Sequence, residues 1–268
     1  MSIVTGVLLA TACVFCGMLA FGEVGRRIGA RRLARDPEGL AKGAGAAEAA
    51  VFALLGLLIA FTFSGAASRF EARRHLLTEE ANAIGTAYLR VDMLPDDTQP
   101  EIRRMFRRYT ELRASAYVPG DEAASSLLQL EARAEADRRL AQAAALQSDI
   151  WKAAVRASRR PGTPAQVSML VLPALNNMID ITTTRVMATR NHPPAVILML
   201  LVALGLVGAL LAGYATSANA SRDWFHSLVF ASILSLTMYV IVDLEFPRFG
   251  LIRVDAADQV LLDLRSSM

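Results

Sequence analysis

Ala49 to Ser68, AAVFALLGLLIAFTFSGAAS, is a run of 20 residues without Asp, Glu, Lys or Arg, and it continues into Arg69-Phe70-Glu71-Ala72-Arg73-Arg74-His75 with no proline or turn signal. A hydrocarbon core of about 30 Å requires roughly 20 apolar residues at a helical rise of about 1.5 Å. The run is therefore a membrane span. Because no proline occurs between Glu48 and Leu94, the span and the charged segment after it are expected to form one helix, ended by Pro95-Asp96-Asp97.

Three further stretches lack charge: Met1 to Gly22, Asn191 to Ser221 and Trp224 to Val242, with lengths of 22, 31 and 19. The 28 Lys and Arg and 25 Asp and Glu are confined to the remainder, a segregation that a soluble domain does not show. The expected class is all-α, a four-span helical membrane protein with a large extramembrane helical region between spans two and three. The expected order is span one at 1–22, a basic connecting loop at 23–48, span two at 49–68, and an extramembrane helical region at 69–192 whose first helix continues span two. Span three at 193–216, span four at 223–245 and a C-terminal tail at 246–268 complete it. The hairpin between spans three and four turns near Thr216 to Asp223, with Ser221 as N-cap. Span one has no Lys or Arg before it and no small-residue cleavage site before Glu23, so it is read as a retained span rather than a signal peptide.

Within the polar region, helices are expected over Pro100 to Tyr117, stopped by Val118-Pro119-Gly120, and over Asp121 to Ser158, with Leu140, Ala144, Trp151 and Val155 at helical spacing. Thr163-Pro164-Ala165-Gln166 has the form of a capping box, opening a helix to Arg190 with a possible kink at Pro173. Gly25 to Gly29 and Gly43 to Gly45 read as loop glycines, without the preceding strand that a phosphate cradle needs.

A register shared by span two and its extension carries the functional argument. Steps of three and four residues give Leu54, Leu57, Phe61, Ser64, Ser68, Glu71, His75, Thr78 and Asn82 as one stripe. The stripe is large and apolar within the span, small and hydroxylated near its end, and polar or ionisable beyond it. If copies of the helix surround an axis, Leu54, Leu57, Phe61, Ser64 and Ser68 line a pore with an apolar constriction, and Glu71, His75, Thr78 and Asn82 line a wet vestibule. Ordinary bundle packing would produce a similar gradient, since any span entering solvent changes character. Leu55, Ile59 and Phe63 lie on the opposite side, facing lipid or neighbouring helices, followed by Leu77, Ile84, Tyr88 and Val91 for packing.

Other candidates have simpler accounts. Arg69, Arg73 and Arg74 follow span two as interfacial anchors, with anion or lipid-headgroup binding as the alternative. Glu71, His75 and Glu79 form a solvated face with local ion pairs, the alternative being a pH-sensitive or metal-binding face. His226 reads as an interfacial polar residue, and Asp180 and Arg185 as residues of a polar helix without a special role. Cys13 and Cys16 are spaced C-x-x-C, but Gly17 follows where haem attachment requires His, so they read as small apolar residues of span one.

Several classes are excluded. None of the four runs has a charge at its centre, where one would cost about 2.5–3.5 kcal/mol or more, which disfavours proton-coupled transport and voltage sensing. No Walker A motif, dinucleotide fingerprint or nucleophile elbow occurs, so the chain is not read as an enzyme, and no cofactor or metal is implied. The carboxylates interleaved with the basic residues argue against a nucleic-acid partner.

The passage Ala60-Phe61-Thr62-Phe63-Ser64-Gly65-Ala66-Ala67-Ser68-Arg69-Phe70, continuing through Glu79-Glu80-Ala81-Asn82-Ala83-Ile84-Gly85-Thr86-Ala87-Tyr88-Leu89-Arg90 to Leu94-Pro95, resembles the signature of the bacterial bestrophin-like family. Asp243-Leu244-Glu245-Phe246-Pro247-Arg248-Phe249-Gly250-Leu251-Ile252-Arg253-Val254 is similar to that family's second motif, with Glu245 standing where Asp is the more usual residue. The resemblance covers nearly the whole chain and marks Arg69, Glu79, Glu80, Asn82, Arg90, Asp243, Glu245, Pro247, Arg248 and Gly250 as motif residues. It implies a homo-oligomeric ion channel, pentameric by analogy with true bestrophins, with four spans per subunit, a hydrophobic neck on span two and a large helical cytosolic part. The implied partners are the lipid bilayer, inorganic ions and sister subunits, in a multi-pass bacterial inner-membrane protein. The alternative is a non-conducting membrane scaffold or sensor that docks a partner through its helical region. Orientation stays open: six Lys and Arg in the first connection place that connection inside by the positive-inside rule and the large region outside, whereas the resemblance implies the reverse.

Overall fold

The computed structural model describes residues 3–35, 44–115, 126–218, 224–246 and 255–268. Its elements are α1 (Ile3–Leu33), α2 (Ala44–Leu89) with a 3₁₀ turn (Arg90–Met93), α3 (Gln99–Ser115), α4 (Ser126–Ser158), α5 (Ala165–Arg190), α6 (Ala195–Ala215) with a 3₁₀ turn (Thr216–Ala218), α7 (Trp224–Glu245) and α8 (Asp255–Ser267). No strand occurs among the described residues. Four helical stretches among the described residues are long and apolar enough to cross a membrane, and each overlaps one of the four charge-free runs. The turn between spans three and four around Ser221, the stop at Val118-Pro119-Gly120, Gly43, and Pro247, Arg248 and Gly250 of the second motif lie outside the described residues. The chain divides into two compact units, 1–68 with 192–251, and 69–191 with 252–268.

In the first unit α1, α2, α6 and α7 pack through small residues. Lipid and leucine are equally apolar, so spans associate where small side chains let backbones approach. A Cβ added to Gly25 would sit 1.9 Å from the Leu210 carbonyl oxygen, and one added to Gly213 would sit 1.9 Å from the Gly22 oxygen. Gly29 faces Ser217 and Tyr214, and Gly17 faces Leu206. Ascending positions on α1 thus meet ascending positions on α6, so the two spans run parallel. Met18 is buried against Gly205, which also touches Met238 of α7, while Gly208 meets Phe52 and Leu55 of α2.

These contacts correct two expectations. Gly25 and Gly29 are not loop glycines but helical ones at the α1–α6 crossing. The connecting loop expected over 23–48 is helical through Leu33 and again from Ala44. Glu23 accepts hydrogen bonds from Arg27 at 2.8 Å and Arg26 at 3.2 Å, local pairs that support continuation of the helix past the apolar run.

In the second unit α2 extends without a break to Leu89. Leu94 adopts extended backbone before Pro95, which lacks an N–H to donate and ends the helix. Leu77, Ile84, Tyr88 and Val91 are buried as the register required. Ile84, Tyr88 and Val91 join Ile102, Phe106 and Tyr109 of α3, Ile150 and Ala154 of α4, Leu175 and Met178 of α5 and Leu261 of α8 in one core. The Tyr88 and Phe106 rings meet edge to face at 5.8 Å. On α4 the buried line is Ala143, Gln147, Ile150, Ala154 and Ala157, whereas Leu140, Trp151 and Val155 are half-buried and Ala144 is exposed. The expected stripe was thus rotated by about one residue, because α4 packs through alanines that admit close approach instead of through its largest side chains.

The capping box does not form. Pro164 is itself the N-cap residue, in extended conformation, with no side-chain cap, and the Thr163 hydroxyl turns back to donate to the Ala157 carbonyl at 3.4 Å. The turn between α4 and α5 requires φ of +88° at Gly162, a region open to glycine at little cost. Pro173 lies inside α5 without ending it.

Candidate functional site

All nine stripe residues are exposed in the single chain. Leu54 and Leu57 are each 52% exposed and Phe61 is 68% exposed. The other side of the same helix is covered: Leu55, Ala66, Arg73, Leu77, Glu80 and Ile84 are buried. Ile59 is half-buried and Phe63 exposed, so only Leu55 of that expected trio reaches the interior. Helix α2 therefore buries one edge within its own chain and leaves Leu54 through Asn82 uncovered. Thr62, beside the stripe, donates its hydroxyl to the Leu58 carbonyl at 2.7 Å, which satisfies it within the helix.

Beyond the span the exposed face carries the expected local pairs. Arg74 meets Glu71 at 3.2 Å and His75 Nδ1 lies 3.3 Å from Glu79 Oε1. Arg74 also stands over the Phe70 ring. Exposed pairs of this kind contribute at most about 1 kcal/mol each, so they shape the charge of the face more than its stability.

The buried edge holds two arrangements that sequence reasoning missed. Arg73 is not an interfacial anchor: it is buried, and its guanidinium donates to the carbonyls of Ala188 at 3.1 Å and Asn191 at 3.0 Å. The last carbonyls of a helix have no intrahelical partner, and Arg73 supplies one to the end of α5. Replacement by alanine is expected to cost at least about 1.5–3 kcal/mol, the usual worth of a hydrogen bond to a charged group. Hydrogen–deuterium exchange should then rise over 185–191 first; unchanged exchange there would deny Arg73 this role.

The second arrangement joins three helices. Glu80 is wholly inaccessible, and its carboxylate accepts from Arg113 Nε of α3 at 2.5 Å and from Arg185 of α5. Burial alone would push the Glu80 carboxyl up, but the two guanidinium groups beside it outweigh that and hold it below its ordinary range. Arg185, expected to be an undistinguished polar position, is buried and belongs to this cluster. Its signal in the sequence was faint, since a lone arginine on a polar helix reads as solvated. Asp180 is as expected, exposed and accepting from Asn176 on its own helix.

Among the remaining motif residues, Arg90 donates to the Leu170 carbonyl at 2.5 Å, linking the end of α2 to α5. Arg69 is half-buried, and Asn82 and Glu79 are exposed. At the end of α7, Asp243 and Glu245 are buried, with Glu245 Oε1 3.2 Å from His192 Nδ1 and the His192 ring stacked on Phe246 at 4.8 Å. Cys13 and Cys16 are free and exposed on α1, and His226 is exposed with its ring edge-on to Phe225.

The solved structures include one likeness over nearly the whole length. A crystal structure of a bacterial bestrophin homolog from Klebsiella pneumoniae, carrying a tryptophan-to-alanine substitution, matches with a TM-score of 0.61 and 15% identity. The match covers 97% of this chain and 98% of that one. At that identity it speaks for the shared fold. No curated protein sequence matches. The sequence pattern of the bestrophin-like domain matches residues 16–258, which include both motifs, the end of span one and the whole of spans two, three and four. With the helical architecture and the membrane-length spans already described, the chain is a membrane protein belonging to the bestrophin-like family.

Proposed function

We propose that the protein is a homo-oligomeric ion channel of a bacterial inner membrane, with the exposed stripe of α2 lining its conduction path. The observation that carries this reading is the uncovered edge itself. It runs from Leu54, Leu57 and Phe61 through Ser64 and Ser68 to Glu71, His75, Thr78 and Asn82, on a helix whose other edge is buried within the chain. Sister copies around an axis would turn the apolar part into a constriction that gates by dewetting and the polar part into a hydrated vestibule. The wide fold likeness to a bacterial bestrophin homolog and the family membership support the same assignment. A pentamer follows by analogy with true bestrophins, and inorganic ions are the permeant species.

Two measurements test the proposal. Particle images of the purified protein in nanodiscs should show rotational symmetry with α2 nearest the axis; a monomer or a dimer would overturn it. In proteoliposomes, Phe61→Ala is expected to raise ion flux by removing a ring of large side chains, and Ser64→Leu to reduce it by extending the dry segment. Absence of flux across a range of ions and pH would instead assign the chain to a non-conducting scaffold.

A further inference from the structure

The second unit contains a cavity that conduction along α2 does not use. It opens between α3, α4 and α5 and has a volume of about 240 Å³. Leu140, Ala144 and Val186 give it an apolar wall, with Tyr109, Gln147 and Thr183 around them. Arg113 also reaches the lining, but its guanidinium is engaged by Glu80 and by further contacts within the chain, so a ligand gains no free cation from it. The polar group with capacity to spare is Gln147. It is only 9% exposed, and its Nε2 donates to the Tyr109 hydroxyl at 2.9 Å. The carboxamide oxygen accepts from no described residue, although an amide carbonyl has lone pairs for two donors. Leaving a buried acceptor unmade is costly, so a ligand that donates to it is favoured over one that does not. Thr183 stands at the exposed rim with its hydroxyl bonded to no described residue, whereas Thr182 donates its own to the Ile179 carbonyl at 2.7 Å.

We propose that this cavity binds a small neutral hydroxyl compound built on a single apolar ring, such as a phenol. The ligand hydroxyl donates to Gln147 Oε1, and the ring lies against Leu140, Ala144 and Val186. Size and lining decide the class together. A cavity of about 150 Å³ accepts benzene, and those that enclose drug-sized ligands run to about 300–1,000 Å³, which leaves room here for one ring and a substituent. Sugars and other polyols would set most of their hydroxyls against the apolar wall without partners. A carboxylate, which has acceptors only, would place lone pairs against the lone pairs of Gln147. The binding needs no membrane potential or flux, so it stands or falls separately from conduction.

The test uses the full-length protein in nanodiscs, titrated calorimetrically with phenol, toluene and benzoate near neutral pH, where a phenol of pKa about 10 keeps its proton. Empty nanodiscs give the blank for partitioning into lipid, which does not saturate. Phenol should bind saturably at one site per chain. Toluene, of the same shape without a donor, and benzoate should each bind at least tenfold more weakly. Ala144→Phe, at an exposed position of α4 on the cavity lining, should weaken phenol at least tenfold by filling the space. Gln147→Met keeps the length of the side chain and removes the acceptor. Phenol affinity in that variant should fall to that of toluene, a loss of selectivity that mere loosening of the cavity would not produce. Should Gln147→Met fail to fold, the phenol-to-toluene ratio of the unmodified protein and the Ala144→Phe comparison decide the matter. The proposal is overturned by no saturable phenol binding, by toluene or benzoate binding as tightly as phenol, by unchanged phenol affinity in Ala144→Phe, or by a folded Gln147→Met that keeps the selectivity.

Discussion

Glu80→Ala should lower the melting temperature by about 6–20 °C, because the substitution leaves two arginines buried around a missing carboxylate. Removing one partner of a buried ion pair costs about 3–5 kcal/mol, and for a chain of this size each kcal/mol corresponds to about 2–4 °C. Circular dichroism of the purified variant in detergent measures the shift, and an unchanged melt would show that the cluster contributes nothing to stability. Because Glu80 on α2 meets Arg113 on α3 and Arg185 on α5, the loss should extend to the packing of all three helices. A triple variant, Glu80→Leu with Arg113→Met and Arg185→Met, should recover much of it, since well-packed apolar groups often replace buried charges without loss.

The same cluster predicts a pH dependence with a definite sign. The folded carboxyl of Glu80 titrates below its ordinary value of 4.5. A group depressed on folding contributes stability that is fully present above its unfolded value and is lost as pH falls through the folded one. The advantage of the unmodified protein over Glu80→Gln should therefore be complete at neutral pH and shrink progressively below about 4.5. A gap that stayed constant through strong acid would contradict the assignment of the charge.

Gly25→Ala and Gly213→Ala are the second pair of large effects, out of proportion to a single methyl group. Each new Cβ would lie 1.9 Å from a backbone oxygen of the facing helix, and a backbone has no rotamer by which to retreat. The spans must move apart along their crossing, at or beyond the upper end of the about 1–3 kcal/mol that overpacking usually costs. The readout is the yield of detergent-stable protein in size-exclusion chromatography. Gly45→Ala provides the control, since nothing lies within 4 Å of a Cβ added there, and it should behave as the unmodified protein. Equal yields for all three would mean that α1 and α6 are not so closely apposed in the membrane.

Much of the architecture was legible in one dimension because the bilayer imposes a length and a polarity on each span. Charge-free runs located all four, and the proline-free passage from Glu48 to Leu94 correctly implied a helix continuing past the span. The buried positions Leu77, Ile84, Tyr88 and Val91 followed from helical periodicity. Polar residues were harder to place. Arg73, Arg74 and Arg185 are the same kind of side chain, yet Arg74 pairs on an exposed face, Arg73 caps α5 and Arg185 is buried against Glu80. Their partners on other helices are distant in sequence, and periodicity along one helix carries no record of them.

The glycines divide in the same way. Gly45 and Gly25 both look like loop punctuation, but only Gly25 meets another backbone closely. What the sequence alone determined was the solvent of each segment, since transfer of charge into hydrocarbon is costly wherever the residue sits, and this set the spans, their order and the exposed stripe of α2. The tertiary structure decided which helices touch, where three of them share one carboxylate, and that a cavity opens between α3, α4 and α5. These depend on distances between residues far apart in the chain, and hydrogen bonds, ion pairs and close packing act only at short range.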